Sequence, residues 1–379
     1  MIKSFKIRLY PTKEQEQLMW KHIGSCRYIY NYMLAKQEEL YKSGEKHLSR
    51  FDMINLLKPL KNDGEHGWLY EVSNTSLQRI CGDLNEAYQA FFKKRNKFPK
   101  FKSRKKSKPS FPIDAVKLWF DENNFAHIIK IGKVKFKTDF DLPIGTGHKF
   151  MNPRVSNING KWLLSFGMEC ENQAYELNDY NVGIDLGVKD LATVAYDNKK
   201  LVFHNINKSK RVRFIKKNIT HLQRSISRKY EANRQGNKYI KTKNIEREET
   251  KLRKLYAKLS NIRNNYIHQI THSLIELLPK CVIMEDLNVM GMMKNRHLSK
   301  VIQEQCFYEF IRQMKYKCEW RGIEFLQVDR FYPSSKTCHN CGCIKSNLKL
   351  SDRTFVCDEC GYTEDRDYNA ALNLMSYGN

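Results

Sequence analysis

Two groups of side chains in this sequence have the types and spacing for chemistry. Cys338 and Cys341 form one C-x2-C pair and Cys357 and Cys360 a second, with fifteen residues between the pairs. Two tight knuckles at that spacing offer four thiolates to one tetrahedral Zn²⁺, the pattern of a zinc ribbon. Gly342 and Gly361 follow the pairs, where a knuckle needs a permissive backbone. The other readings are coincidental pairs or a disulfide. Cys343 and His339 lie close by as substitute ligands, but four thiolates already fill the shell. An all-thiolate set points to a structural ion rather than a catalytic one.

The second group is acidic. Asp185 lies inside VGIDLGVKDLATVAYD, a run that otherwise reads as buried strand. A carboxylate there is costly unless its charge is offset. Glu285 ends the apolar run CVIME, and Asp367 opens the final helix in EDRDYNAAL. Each alone has an ordinary reading. Asp185 would pair with a lysine such as Lys189, Glu285 would cap the next turn, and Asp367 would favour a helix N-terminus. Together, acids on two strands and a terminal helix can converge from distant segments. Convergent carboxylates do not all stay ionised without cations. Two Mg²⁺ between them would make a phosphodiester-cleaving centre, one ion activating water and the other stabilising the leaving oxygen.

The elements that must position these groups are legible in outline. Phe5, Ile7 and Leu9 alternate as a strand, and Thr12 with Gln15 fits a capping box. Helical stripes follow through Leu34 and again from Leu77 to Phe92, so 12–97 reads as a helical insertion. Residues 111–179 are strand-rich, with a hairpin turning at Asn159-Gly160. With the first strand they are expected to close a small barrel. From 182 onward three strands precede a basic helical hairpin over 208–278, joined by a loop around 231–243. A buried strand KCVIMEDL, a helix over 303–320, a strand GIEFLQVD and a short last helix complete the pattern. The fold class is α+β, multi-domain.

Composition narrows the partners. The chain of 379 residues carries a net charge of +26 and is 41% hydrophobic, so it builds a core and favours a polyanion. No apolar run is long enough to span a bilayer. MIKSFKIRLYP alternates and has no signal-peptide block, so an intracellular, cytoplasmic protein is expected. Six scattered cysteines read as small buried apolar residues in a reducing compartment. Residues 93–108 hold ten Lys or Arg and no acid, and 208–265 hold nineteen against four Glu. Phosphate backbones would neutralise them. Lys93, Lys94, Arg95, Lys102, Arg104, Arg224 and Arg228 are the candidate nucleic-acid contacts, with Phe98 and Phe101 able to stack on bases.

GIDLGVKDLATV, IMEDL, PSSKTCHNCG, CDECG and DRDYNAALN, in this order, resemble TnpB proteins, transposon-encoded RNA-guided endonucleases related to type V CRISPR effector nucleases. FKIRLYPTKEQ and LNEAYQAFFKK are similar as well, so the resemblance covers nearly the whole chain. It implies a wedge-like β-barrel over 1–11 and 98–180 and a helical recognition domain over 12–97. It implies an RNase H-like, RuvC-type nuclease domain over 181–332 with its basic hairpin at 208–278. A zinc ribbon over 333–363 and a last RuvC segment over 364–379 would follow. The catalytic, Mg²⁺-holding acids fall on Asp185, Glu285 and Asp367; Asp367 is preferred to Asp365 because the family acid lies two residues before the Asn of DxNAA. Gln78 matches a reader of the DNA motif beside the target, although Asn74 and Thr75 depart from the better-known pattern. The implied partners are a guide RNA from the transposon end and target double-stranded DNA, cut next to a short flanking motif. An unguided transposase or nuclease of the same fold, and a guided repressor without cleavage, are the rival readings.

Overall fold

Alternation in the first ten residues produces the first strand. β1 (Ile2–Tyr10) buries Ile7 and Leu9 and exposes Lys6 and Tyr10. Pro11 ends it, and Thr12 caps α1 (Lys13–Lys42) through a reciprocal pair of bonds with Gln15. In the computed structural model, residues 1–171, 173–349 and 352–377 are described. Asn172, Leu350, Ser351, Gly378 and Asn379, which fall in the expected barrel, ribbon and last segment, lie outside them. The chain divides into two units, Met1–Glu171 and Asn172–Asn379.

In the first unit α1 is followed by α2 (Arg50–Asn55), α3 (Leu57–Lys61) and α4 (Asn74–Phe92). Six strands then join β1: β2 (Ser110–Pro112), β3 (Trp119–Phe120), β4 (Phe125–Ile128), β5 (Gly132–Lys137), β6 (Phe150–Ile158) and β7 (Lys161–Glu169). All pair antiparallel in the order β2-β6-β7-β1-β5-β4-β3. The β6–β7 turn falls at Asn159 and Gly160, whose φ of 52° and 80° are the left-handed values Asn-Gly tolerates. The expected barrel needs correction. Among the described residues no ladder joins β2 to β3, so the sheet stays open. Edge strands of three and two residues are too short to close it. The helices and sheet, read from sequence as separate domains, share one core that includes Leu9, Met19, Met33, Leu77, Phe111 and Phe120.

The second unit opens with a meander, β8 (Asn178–Leu186), β9 (Asp190–Tyr196) and β10 (Lys199–His204). α5 (Lys210–Ala232) and α6 (Lys243–Ile275) follow, joined through a two-residue-per-strand hairpin, β11 (Arg234–Gln235) and β12 (Lys238–Tyr239). Then come β13 (Pro279–Glu285), α7 (Val289–Met292), α8 (Ser299–Gln305), α9 (Phe307–Arg321) and β14 (Glu324–Val328). β15 (Thr354–Val356), β16 (Thr363–Asp365) and α10 (Arg366–Met375) close the chain. The main sheet runs β10-β9-β8-β13-β14, with β13 parallel to both β8 and β14. The helix expected over 303–320 is broken at Cys306, which adopts φ 56° and ψ 40°. The break lets buried Gln305 donate to the carbonyls of Gly187 and Val188 while Phe307 and Phe310 stay in the core. Among the described residues no helix is long and apolar enough to cross a membrane.

The two faces of this sheet are covered differently, and the alternation along the strands decides which residues each cover meets. Val182, Ile184, Val282 and Met284 pack against Ile267 and Leu274 of α6 and Phe310 and Met314 of α9. The intervening residues face α10, where Cys281 and Ile283 meet Leu374 and Ala195 meets Ala371. Gly183 lies on this side, and a Cβ there would sit 2.1 Å from the Ala371 carbonyl oxygen and 2.4 Å from the Met375 nitrogen. Both are backbone atoms and cannot rotate away. Gly183→Ala is therefore expected to cost about 3 kcal/mol. Thermal unfolding should show a Tm lower by roughly 6–12 °C. An unchanged Tm would contradict the close seating of α10.

Candidate functional site

The register of two parallel strands brings the first two acids together. Ile184 of β8 stands opposite Met284 of β13. The next residue on each strand is Asp185 and Glu285, at the same level and both on the α10 side. α10 begins above them. Its cap is Asp365, whose carboxylate accepts the Tyr368 N–H at 3.0 Å, and Asp367 occupies the first turn. Burial, then Glu285, then Asp367 push Asp185 well above the usual carboxylate range, with Arg366 acting in the other direction. The ordinary pairing with Lys189 is not made: Lys189 is exposed, and the charged groups acting on Asp185 are Glu285, Asp367, Asp365 and Arg366. Glu285 does not cap the following turn either, since Asn288 does so.

Each remaining acid has its own neighbours. The Ser334 hydroxyl donates to Glu285 Oε1. Asp367 lies 3.4 Å from the guanidinium of Arg366 and 4.0 Å from that of Arg353. Asp286, one residue beyond Glu285, pairs with Arg330 at 2.9 Å. Asp185, Glu285 and Asp367 are near enough to interact on one face, where burial first and the other acids second raise the Asp185 pKa. Carboxylates are the ligand type that hard divalent cations take.

The cysteine spacing also closes in space. The four sulfurs of Cys338, Cys341, Cys357 and Cys360 lie within 4.8 Å of one another. Cys338 to Cys360 is 3.7 Å and Cys341 to Cys357 is 3.5 Å. A disulfide would need about 2.05 Å. Four thiolates at about 2.3 Å around a tetrahedral ion would stand about 3.8 Å apart, so the geometry fits Zn²⁺. Each knuckle is closed the same way, Gly342 N–H to the Cys338 carbonyl and Gly361 N–H to that of Cys357, with the two glycines at φ 77° and 69°. Cys343 and His339 stand outside the cluster. The His339 N–H instead donates to Asn369 of α10.

The basic candidates separate into two kinds. Lys93, Lys94, Arg95 and Arg104 are exposed in an irregular segment, and Arg224 and Arg228 are exposed one turn apart on α5. Lys102 is not free for a phosphate. Its ammonium sits 3.6 Å from the centroid of the Tyr30 ring, and Asn31 holds its backbone by two bonds. Burial lowers its pKa. Phe98 packs edge-on against Tyr88 and Phe91, whereas Phe101 is 53% exposed. Lys102 and Arg104 line a cavity of about 910 Å³ with Trp20, Lys21, Arg27 and Lys108. Gln78 is half-buried on α4; Asn74 accepts from Lys61 and Thr75 donates to Asp114. In the α5–α6 hairpin Glu248 and Glu249 pair with Lys229, Lys251 and Lys241, so its charge is partly offset within the hairpin.

The buried hydrogen-bonding roles of Ser334, Asn369, Asn373 and Gln305 escaped the sequence reading, although the first three lie in motifs that carry the resemblance. For Asn369 and Asn373 the local signal is their i, i+4 spacing in NAALN. That spacing marks one helix face without saying that the face is buried.

Fold and site together define a protein with a mixed five-stranded sheet, acids gathered at one face of it, and a four-thiolate knuckle pair just before its last helix. Comparison with known proteins gives the family. Residues 307–374 match the Cas12f1-like TNB domain, 165–296 a family described as probable transposase, and 1–46 a helix-turn-helix domain. That last stretch is here β1 and the single helix α1. The chain is 31% identical over 393 residues to the Escherichia coli K12 protein "Putative RNA-guided DNA endonuclease InsQ", covering all of this chain and 92% of that one. It is 29% identical over 377 residues to a Streptomyces pristinaespiralis protein named "Putative RNA-guided DNA endonuclease", covering 99% and 89%. The solved Cas12f1–sgRNA–target DNA complex contains a chain with the same fold, at TM-score 0.62 and 15% identity over 100% of this chain and 99% of that one. The chain belongs to the TnpB family.

Proposed function

We propose that this protein is an RNA-guided DNA endonuclease whose second unit is a RuvC-type, RNase H-like nuclease domain with an inserted zinc ribbon. The observation that carries the nuclease reading is the β8–β13 register, which sets Asp185 beside Glu285 under the first turn of α10. The strand order and the α10 cover fit that domain, and the near-full-length relatives bear the endonuclease name. Residues 1–11 and 98–180 serve as the wedge, 12–97 as the recognition helices with Gln78 facing the flanking motif, and the exposed cations of 93–108 and α5 as backbone contacts.

Asp185, Glu285 and Asp367 would hold two Mg²⁺, which would supply an activated water and a stabilised leaving oxygen. The chain contributes a rigid strand pair that fixes two of the ligands and a capped helix that fixes the third. Burial and then the neighbouring acids raise the Asp185 pKa, and cations held beside it would favour its ionised, ligating form. Arg353 and Arg366 add positive charge on the Asp367 side, where a phosphodiester would approach. Guide pairing reads sequence, and the protein reads duplex shape and the flanking motif.

A net charge of +26 binds any duplex, so binding alone tests little. Cleavage that follows a changed RNA is the test. Protein loaded with its transposon-end RNA should cut duplex DNA only where the RNA's terminal segment pairs beside the flanking motif. Exchanging that segment should move the cut. The probable-transposase description of 165–296 keeps the unguided reading as the alternative. Cut sites that stay fixed, or cutting at the same rate without RNA, would establish that alternative. The guided repressor reading needs an incomplete acid set, and here all three acids are present.

A further inference from the structure

We propose that Ser334 is a positioning residue for Glu285, and that the strap carrying it, residues 334–339, ties the four-thiolate centre to the acid cluster. The proposal rests on the reading of Asp185, Glu285 and Asp367 as a cation-binding centre.

Ser334 is 1% exposed, and its hydroxyl donates to Glu285 Oε1. A serine hydroxyl has a single proton, so this bond fixes which Glu285 oxygen is engaged and leaves the other free. The strap is itself held from below by two amides of α10. Asn373 Nδ2 donates to the carbonyls of Ser334 and Thr337, both at 2.7 Å. Asn369 Nδ2 donates to the Thr337 carbonyl at 2.7 Å, and Asn369 Oδ1 accepts the His339 N–H at 3.1 Å. Asn369 is fully buried and Asn373 is 6% exposed, so these bonds are not exchanged for water without cost. At its far end the strap becomes the first knuckle at Cys338.

The same helix therefore carries Asp367 and, through the strap, the group that orients Glu285. The acids on β13 and α10 are set relative to each other by a chain of hydrogen bonds rather than by the sheet alone. A hydrogen bond that orients a carboxylate ligand typically changes metal affinity about 10–100-fold when removed. The thiolate centre then has a second task beyond holding the ribbon: it anchors the end of the strap.

The test uses full-length, zinc-loaded protein and Mn²⁺ as the probe, with Asp185→Ala as the control that defines binding elsewhere on the protein. Ser334→Ala should weaken Asp185-dependent Mn²⁺ binding about 10–100-fold by calorimetric titration. Zinc content should be unchanged. In cleavage assays the Mg²⁺ concentration for half-maximal rate should rise by a similar factor, and the rate at saturating Mg²⁺ should fall much less. Ser334→Thr, which keeps the hydroxyl, should recover most of the loss. Glu285→Gln supplies a double-mutant cycle: in that background Ser334→Ala should weaken Mn²⁺ binding no further. Should Ser334→Ala fold poorly, the Thr variant and the cycle measured by Mn²⁺-induced shifts in Tm decide the matter. Wild-type Mn²⁺ affinity in Ser334→Ala, or additive losses in the cycle, overturns the positioning role. Absence of any Asp185-dependent Mn²⁺ site in the wild-type protein overturns the cation-centre reading instead.

Discussion

Replacing Asp185, Glu285 or Asp367 singly by alanine is expected to abolish DNA cleavage and to spare nucleic-acid binding. The acids sit on three elements but, on the proposed reading, act as one ligand set, so removing any one should lose a cation and most of the stabilisation it would give the transition state. Several kcal/mol of that stabilisation correspond to about a 10³-fold loss or more. Singles and the triple variant should be nearly equal, because a cooperative site fails as a unit. The nucleic-acid surfaces carry their own charge and do not need the acids, so a binding assay should separate the two effects. Glu285→Ala cutting at near wild-type rate would remove that residue from the site.

The same site carries a pH signature in the absence of Mg²⁺. The folded protein raises the Asp185 pKa, chiefly by burial and then by Glu285 and Asp367. Below the ordinary aspartate pKa of about 3.9, Asp185 is protonated whether folded or not and contributes no difference. As pH rises past that value, the unfolded chain releases a proton that the folded chain retains, so stability falls. Asp185→Asn removes this cost. Its Tm should exceed that of the wild-type protein at neutral pH, and the gap should close as pH approaches 4. A gap that is constant with pH would argue against a raised Asp185 pKa in the folded protein.

Removing the thiolate ion should have the larger effect on folding. About one tightly bound Zn²⁺ per chain is expected, and structural sites of this kind hold about 10 kcal/mol or more of binding free energy that becomes folding free energy. The ribbon's own core is small: Phe355 and the buried Cys338 and Cys357, with Leu348 and Tyr362 against them. It cannot compensate that loss. Replacing Cys338 and Cys357 by serine should release the ion and unfold 338–362. The anchor of the strap at Ser334 should go with it, lowering both Tm and activity. Elemental analysis showing no zinc in well-folded protein would end this reading.

What the sequence determined by itself was local. The Thr12–Gln15 box, the Asn159-Gly160 turn and the alternation through Asp185 all depend on residues within a few positions of one another, and each formed as the pattern required. The cysteine pairs belong here too, since a knuckle is made by its own short loop and only one long step joins the two. The motif order was enough to point to the family. The tertiary structure decided everything that depends on register and packing between distant segments. Period-2 alternation allows Asp185 and Glu285 to share a face. Only the parallel pairing of β8 with β13, held by α6 and α9 on one side and α10 on the other, puts them at one level. Short edge strands left the first sheet open where a closed barrel had been expected. Lys102 turned onto the Tyr30 ring because its backbone is tied to Asn31, a partner 71 residues away. Ser334, Asn369 and Asn373 are ordinary polar letters in the chain. They become an orienting network only because burial denies them water, and burial is a property of the folded whole.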